Sequence, residues 1–245
     1  MKNVSVVIIA FNEAAGIREC LGSVAWCDDI VVVDSGSTDG TPEICRQVTS
    51  KVFIRPWPGY SAQRNWAHQQ ARHPWIFILD ADERVSSELR REIELLDPPD
   101  DVDGYTATCR NYLGGRWMRY GGLYPDFHLR LFRADKCTYA GQVHEQPAIS
   151  GKVLPLRGDV IHYTYDDFAD YLAKINRYTS LQAEEFQRAG TRPRWLLLKP
   201  FVYFVRAFVR DAGWRDGSFG LLYSAMIGLY PLVLYAKLWE KGQRR

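Results

Sequence analysis

Residues 80–83 read Asp-Ala-Asp-Glu and follow directly on the apolar run WIFIL. Two acids spaced i and i+2 at the exit of a strand can turn both side chains toward one hard cation, and oxygen ligands suit Mg2+ or Mn2+. Such an ion binds through one or two protein carboxylates together with substrate phosphates, and it neutralises charge on a departing phosphate. Two other stretches, AFNEA (10–14) and DSGSTDGT (34–41), also deliver acids and amides where apolar runs end. Each has a plainer alternative when taken alone. Asp34 or Asp39 can cap a helix, and an acidic turn can simply close a core strand. Three together describe a polar, acidic mouth.

The elements needed to assemble that mouth are legible. VSVVIIA (4–10), IVVVD (30–34), KVFI (51–54) and WIFILD (75–80) read as buried strands. Helical stretches separate them at about 13–24, 41–48 and 60–72, and a further one follows at 86–96. Thr41-Pro42-Glu43 is a helix start, with a capping hydroxyl, a first-turn proline and an acid at the positive end of the dipole. This alternation predicts an α/β fold with a mostly parallel central sheet built from right-handed βαβ units. In such sheets ligands bind beyond the carboxyl ends of the strands, where the acids fall.

Composition narrows the function classes. The chain has 245 residues, 47% of them hydrophobic, enough for a full core. Its 31 basic residues nearly balance 29 acidic ones, which argues against a nucleic-acid partner and confines any basic patch to one region. The five cysteines are widely spaced with no C-x-x-C pair, as expected of reduced thiols in a cytosol. MKNVSVVIIAFNE reads as a first strand rather than a signal peptide.

AFNEA, VVVDSGSTDGT, GYSAQRN (59–65) and ILDADE resemble, in order and spacing, the family 2 glycosyltransferases of GT-A fold. LDADERVSSEL, the segment Pro125 to Phe132, QVHEQ (142–146), IHYTY (161–165), YLAKINRY (171–178) and GWRDGSFGLLYSA extend the resemblance to the branch that adds β-glucose to the lipopolysaccharide core. The resemblance implies a nucleotide-sugar donor, UDP-glucose, held through a divalent metal, and a lipopolysaccharide-core or other glycolipid acceptor. It places Ala10, Asn12 and Glu13 by the nucleoside, with Asp34 and its neighbour Ser35 at the base. Arg64 and Asn65 match positions near the phosphates, although Arg64 could equally be solvated on a helix. Asp80, followed by Ala81, would meet the ribose or metal waters, and Asp82 would bind the metal itself.

In inverting members of the family a carboxylate takes the proton of the acceptor hydroxyl as it attacks. Glu145 is the first candidate and Asp126 the second, and His144 would be a third metal ligand or orient Glu145. His128 and His162 read as half-buried strand residues outside the catalytic set. Arg130 and Arg133 are three apart, so they share a side of a strand only across a bulge, and they read as surface charge with an acceptor-phosphate contact as the minority alternative. Two alternatives of function stay open: another nucleotide sugar with a polyprenyl-phosphate or other glycan acceptor, and a catalytically silent sugar-nucleotide binder or membrane scaffold.

From about residue 166 the pattern becomes helical. Phe168, Tyr171, Leu172, Ile175 and Tyr178 recur at helical spacing, and Gly190 closes the helix. The expected organisation is a catalytic domain over 1–165, with a nucleotide-sugar half (1–97) and an acceptor half (98–165), followed by a helical extension (166–245). WLLLKPFVYFVRAFV (195–209) is apolar but interrupted by Lys199 and Arg206, which suits the plane of a bilayer surface better than its interior. Residues 218–236 are uncharged over nearly the length of a membrane span, and packed core helices are the alternative. The expectation is a cytoplasmic protein attached peripherally to the cytoplasmic face of the inner membrane.

Overall fold

The computed structural model describes residues 1, 3–140, 146–165, 167–190 and 198–243. The four β-branched runs form strands with the expected limits: β1 (Val4–Ala10), β2 (Ile30–Asp34), β3 (Lys51–Ile54) and β4 (Trp75–Asp80). They are parallel in the order β3-β2-β1-β4. Their runs are continuous because both faces are covered. Val6, Ile8, Val32, Phe77 and Leu79 pack on one face with Ile17 and Leu21 of α1 (Ile17–Ser23) and Leu89 and Ile93 of α4 (Ser87–Leu95). The alternate residues Val7, Val31, Val33, Ile76 and Ile78 pack on the other face with Ala67 of α3 (Tyr60–His68). Burying each such side chain contributes roughly 1.5–3 kcal/mol. Register then sets the chemistry, because Ala10 pairs with Asp34 and Ile9 with Asp80, which brings three strand ends to one edge.

Beyond β4 the sheet turns antiparallel. After β5 (Glu83–Val85) and α4 come β6 (Val102–Leu113), β7 (Arg116–Trp117), β8 (Phe127–Arg133) and, after the hairpin of β9 (Cys137–Ala140) with β10 (Gln146–Ile149), β11 (Lys152–Tyr165). The order continues β4-β8-β6-β11-β5, with β7 on β6, giving a mixed α/β sheet whose parallel half carries the acids. β8 bulges at Arg130: Tyr105 pairs with Leu131 and Thr106 with Leu129, so Arg130 is passed over. A bulge re-aims the extra side chain, and Arg130 is buried rather than at the surface.

The chain forms two units, one of residues 1–109 and 126–162 and a second of residues 110–125 and 163–245. Residues 110–125, inside the expected acceptor half, thus cluster with the C-terminal helices. All five cysteines are free thiols.

In the second unit, α5 (Phe168–Arg188) is capped by Asp167, whose side chain accepts from the Asp170 amide at 2.8 Å. Its buried stripe is Tyr171, Ile175, Thr179 and Ala183, while the expected Phe168, Leu172 and Tyr178 are exposed. One-turn spacing along 171, 175, 179 and 183 selects the face that packs on α7 (Ser218–Gln243). Small residues on α7 admit a neighbouring backbone: a Cβ on Gly228 would lie 2.8 Å from the Pro200 carbonyl oxygen of α6 (Lys199–Val205). Ser224, one turn earlier, is fully buried. This close approach is why α7 is only moderately apolar. The most apolar 18-residue stretch within Ser218–Gly242 nevertheless has a mean hydropathy of 1.6, enough, by length and composition alone, to cross a membrane.

Candidate functional site

The turn after β4 solves the problem of three neighbouring carboxylates by giving each its own cationic partner from a different element. Asp80 Oδ1 accepts from Arg64 Nη2 of α3 at 2.8 Å. Glu83 is held by both terminal nitrogens of Arg130 from β8, at 2.8 and 2.5 Å. Asp82 Oδ2 lies 3.3 Å from His162 Nε2 on β11, whose register sets His162 opposite Glu83.

These partners do different work. Glu83 and Arg130 are both buried, and Glu83 Oε2 also accepts the Asp80 amide at 2.9 Å, so this pair shapes the turn. Asp80 and Asp82 remain half-buried, with part of each side chain accessible. Burial opposes charge on Asp80, but the Arg64 and Arg130 guanidiniums outweigh it and hold the carboxyl below its ordinary range. Burial likewise disfavours the imidazolium of His162, yet the hydrogen bond and charge of Asp82 prevail and raise its pKa.

The remaining loops are zipped together. Asn12, at a left-handed φ of 55°, donates its amide to Ser37 Oγ at 2.7 Å, and its Oδ1 accepts the Thr38 amide at 2.9 Å. The Glu13 amide donates to Thr41 Oγ1, so the Thr41 hydroxyl ties the two loops rather than capping α2 (Thr41–Arg46), whose cap is Gly40. Asp34 is fully buried, and its carboxylate accepts from the Gly36 and Ser37 amides and from the Ser37 hydroxyl. The Ser35 amide donates to the Ala10 carbonyl.

Three consecutive residues of α3 reach three directions, as the helical step of about 100° requires. Gln63 Nε2 donates to Ser35 Oγ at 3.3 Å and Arg64 meets Asp80. Asn65 exchanges two 2.9 Å bonds with the backbone of Tyr139 in β9. The Arg64 guanidinium also covers the Tyr139 ring, so it is enclosed rather than solvated. Paired residues Ala140 and Gln146 bracket residues 141–145. His144 and Glu145 therefore lie outside the described residues, but the stem that carries them is clamped to α3. Asp126 is half-exposed, 2.9 Å from His128, whose hydrogen bond holds its carboxyl below the ordinary range.

The sequence profile of Glycosyl transferase family 2 matches residues 5–154. The chain is a family 2 glycosyltransferase. It is 33% identical over 97% of its length, and 92% of the relative's, to the lipopolysaccharide core biosynthesis glycosyltransferase LpsC of Rhizobium meliloti. An uncharacterized glycosyltransferase of Rickettsia felis is 30% identical over 98% of this chain and 90% of its own. Among solved structures, the mannosyltransferase PcManGT from Pyrobaculum calidifontis, in complex with GDP-Man and Mn2+, shares the fold with a TM-score of 0.56 at 16% identity, over 97% of this chain and 87% of that one. The glycosyltransferase thus has the GT-A fold that the resemblance implied.

The donor set of the glycosyltransferase fits a divalent ion in part. Neighbouring ligands on an octahedral ion of Mg2+ size stand about 3 Å apart, and Asp82 Oδ2 and His162 Nε2 are 3.3 Å apart. Among the described residues no three such groups converge, so substrate oxygens would have to complete the shell. The sequence reading named His162 and Arg130 but placed His162 outside the site and Arg130 at the surface, whereas His162 meets Asp82 and Arg130 is buried on Glu83. A histidine near the end of a strand bordering the acidic edge was the available signal for His162; for Arg130 the spacing to Arg133 pointed to a bulge but not to the partner it would reach.

Proposed function

We propose that this glycosyltransferase moves glucose from UDP-glucose, with inversion, onto an inner-core sugar of lipopolysaccharide at the cytoplasmic face of the inner membrane. The observation that carries the reading is the Asp80–Asp82–His162 edge, presented by a chain that is similar to LpsC over nearly its whole length. Asp82 and His162 would hold Mg2+ or Mn2+, which when bound withdraws charge from the departing diphosphate. Asp80, kept ionised by Arg64, faces the ribose side, and Asn12, Glu13 and Ser35 form the nucleoside end, on a loop that the buried Asp34 shapes rather than contacting the base as the resemblance implied. Asn65 positions the stem of the segment bearing Glu145, which takes the acceptor proton as the new bond forms. Asp126 is the second candidate, its carboxyl held below the ordinary range by His128.

Charge supports the membrane part. The second unit carries 16 Arg and Lys against 8 Asp and Glu, and the first 15 against 21, so the near-neutral total conceals a basic C-terminal unit. That unit also exposes Phe201, Val202, Val209, Trp214 and Trp239. Aromatic and basic residues together suit an anionic interface.

The test is to incubate the purified protein and Mn2+ with UDP-glucose, UDP-N-acetylglucosamine and GDP-mannose, measuring hydrolysis and protection against heat. UDP-glucose should be hydrolysed fastest and protect most. Preference for either of the others overturns the donor assignment, and no response to any overturns catalysis.

A further inference from the structure

The second unit contains a half-open cavity of about 300 Å³. Six tyrosines line it: Tyr165, Tyr171, Tyr178, Tyr203, Tyr223 and Tyr230. Leu113, Leu123, Ile175 and Ile227 fill the spaces between them, and no charged residue contributes. The volume falls in the range of small-ligand pockets. Tyr178 both lines the cavity and is 45% exposed, which places an opening there.

The wall chemistry selects the occupant. The Tyr171 hydroxyl donates to the Met226 carbonyl at 2.6 Å, and the Tyr230 hydroxyl to Gln182 Oε1 at 3.0 Å. The hydroxyl of Thr164, also in the wall, donates to Asn111 Oδ1 at 3.2 Å, so these three donors are already engaged, whereas a buried sugar needs a partner for each hydroxyl it loses from water. An aliphatic chain needs no partner and gains from every apolar contact. Tyr223, Ile227 and Tyr230 of the wall belong to α7, the helix apolar enough to cross a bilayer, in a unit with twice as many basic as acidic residues. We propose that this cavity receives an acyl chain of an anionic membrane lipid, drawn from the bilayer past Tyr178. The proposal rests on the reading that this unit meets the membrane.

The full-length protein is mixed with vesicles of phosphatidylethanolamine and phosphatidylglycerol containing phosphatidylglycerol with a diazirine in one acyl chain. After irradiation, labelled peptides are mapped and co-sedimentation is measured in the same samples. Label should appear in residues 171–178 and 223–230. Ile227→Trp or Leu123→Trp, which fill the cavity, should reduce that label about tenfold and leave label on Phe201 and Val202. Circular dichroism checks the fold of each variant. Independently of the variants, free dodecanoic acid should compete away the cavity label of wild type, and glucose should not. Label confined to Phe201 and Val202, label unaffected by filling in a folded variant, or competition by glucose overturns the proposal. Sedimentation without cavity label overturns it alone, and absence of both overturns the membrane reading as well.

Discussion

Arg130→Met tests whether the buried pair beneath the acidic turn builds the site. Arg130 is 6% exposed and Glu83 1%, and two bonds of 2.8 and 2.5 Å join them. Removing the guanidinium strands a buried carboxylate, which costs roughly 3–5 kcal/mol. For a chain of this size that lowers Tm by about 6–20 °C. Glu83→Gln combined with Arg130→Met removes both charges while keeping an oxygen for the Asp80 amide. The double variant should therefore cost at least about 2 kcal/mol less than the sum of the single ones. Thermal and urea unfolding of all four proteins complete the cycle. A loss below about 1 kcal/mol for Arg130→Met, or strict additivity, refutes the reasoning.

Asp82→Asn should lower transfer roughly 100-fold or more with the fold intact, and chelation of wild type should do the same reversibly; full turnover in excess chelator removes the metal role. The raised pKa of His162 has two consequences of opposite sign. Its pair with Asp82 stabilises the metal-free fold fully below the ordinary imidazole value and is lost as pH rises through the raised one, whereas metal affinity grows over that rise because the proton must leave Nε2. Calorimetric titration with Mn2+ at about pH 6 and about pH 8 should show tighter binding at the higher pH, and His162→Gln should flatten the difference. Glu145→Gln should cut turnover and spare donor binding, and the assignment fails if Asp126→Asn does this instead. Asn65→Ala unlatches β9 at a cost of roughly 1–3 kcal/mol, and turnover should fall with little change in donor KM.

The sequence by itself determined the parallel half of the sheet. Continuous β-branched runs have no stable place except a doubly covered strand, so β1 to β4 match their expected limits. It also determined which edge carries chemistry, because parallel strands present their carboxyl ends together. Only the tertiary structure decided what each acid does there. Asp80, Asp82 and Glu83 look equivalent in DADE. They are distinguished by Arg64 sixteen residues earlier, His162 eighty residues later and Arg130 forty-seven residues later. Such pairings depend on strand register and on a bulge that moves Arg130 inward, and neither leaves a local trace in composition. The same holds for α5, where helical periodicity permits several apolar faces and contact with α7 chooses the one through Tyr171 and Ile175. Local sequence sets backbone preference and burial pattern, which are short-range; partner identity is set by closure of long loops, which only the folded chain accomplishes.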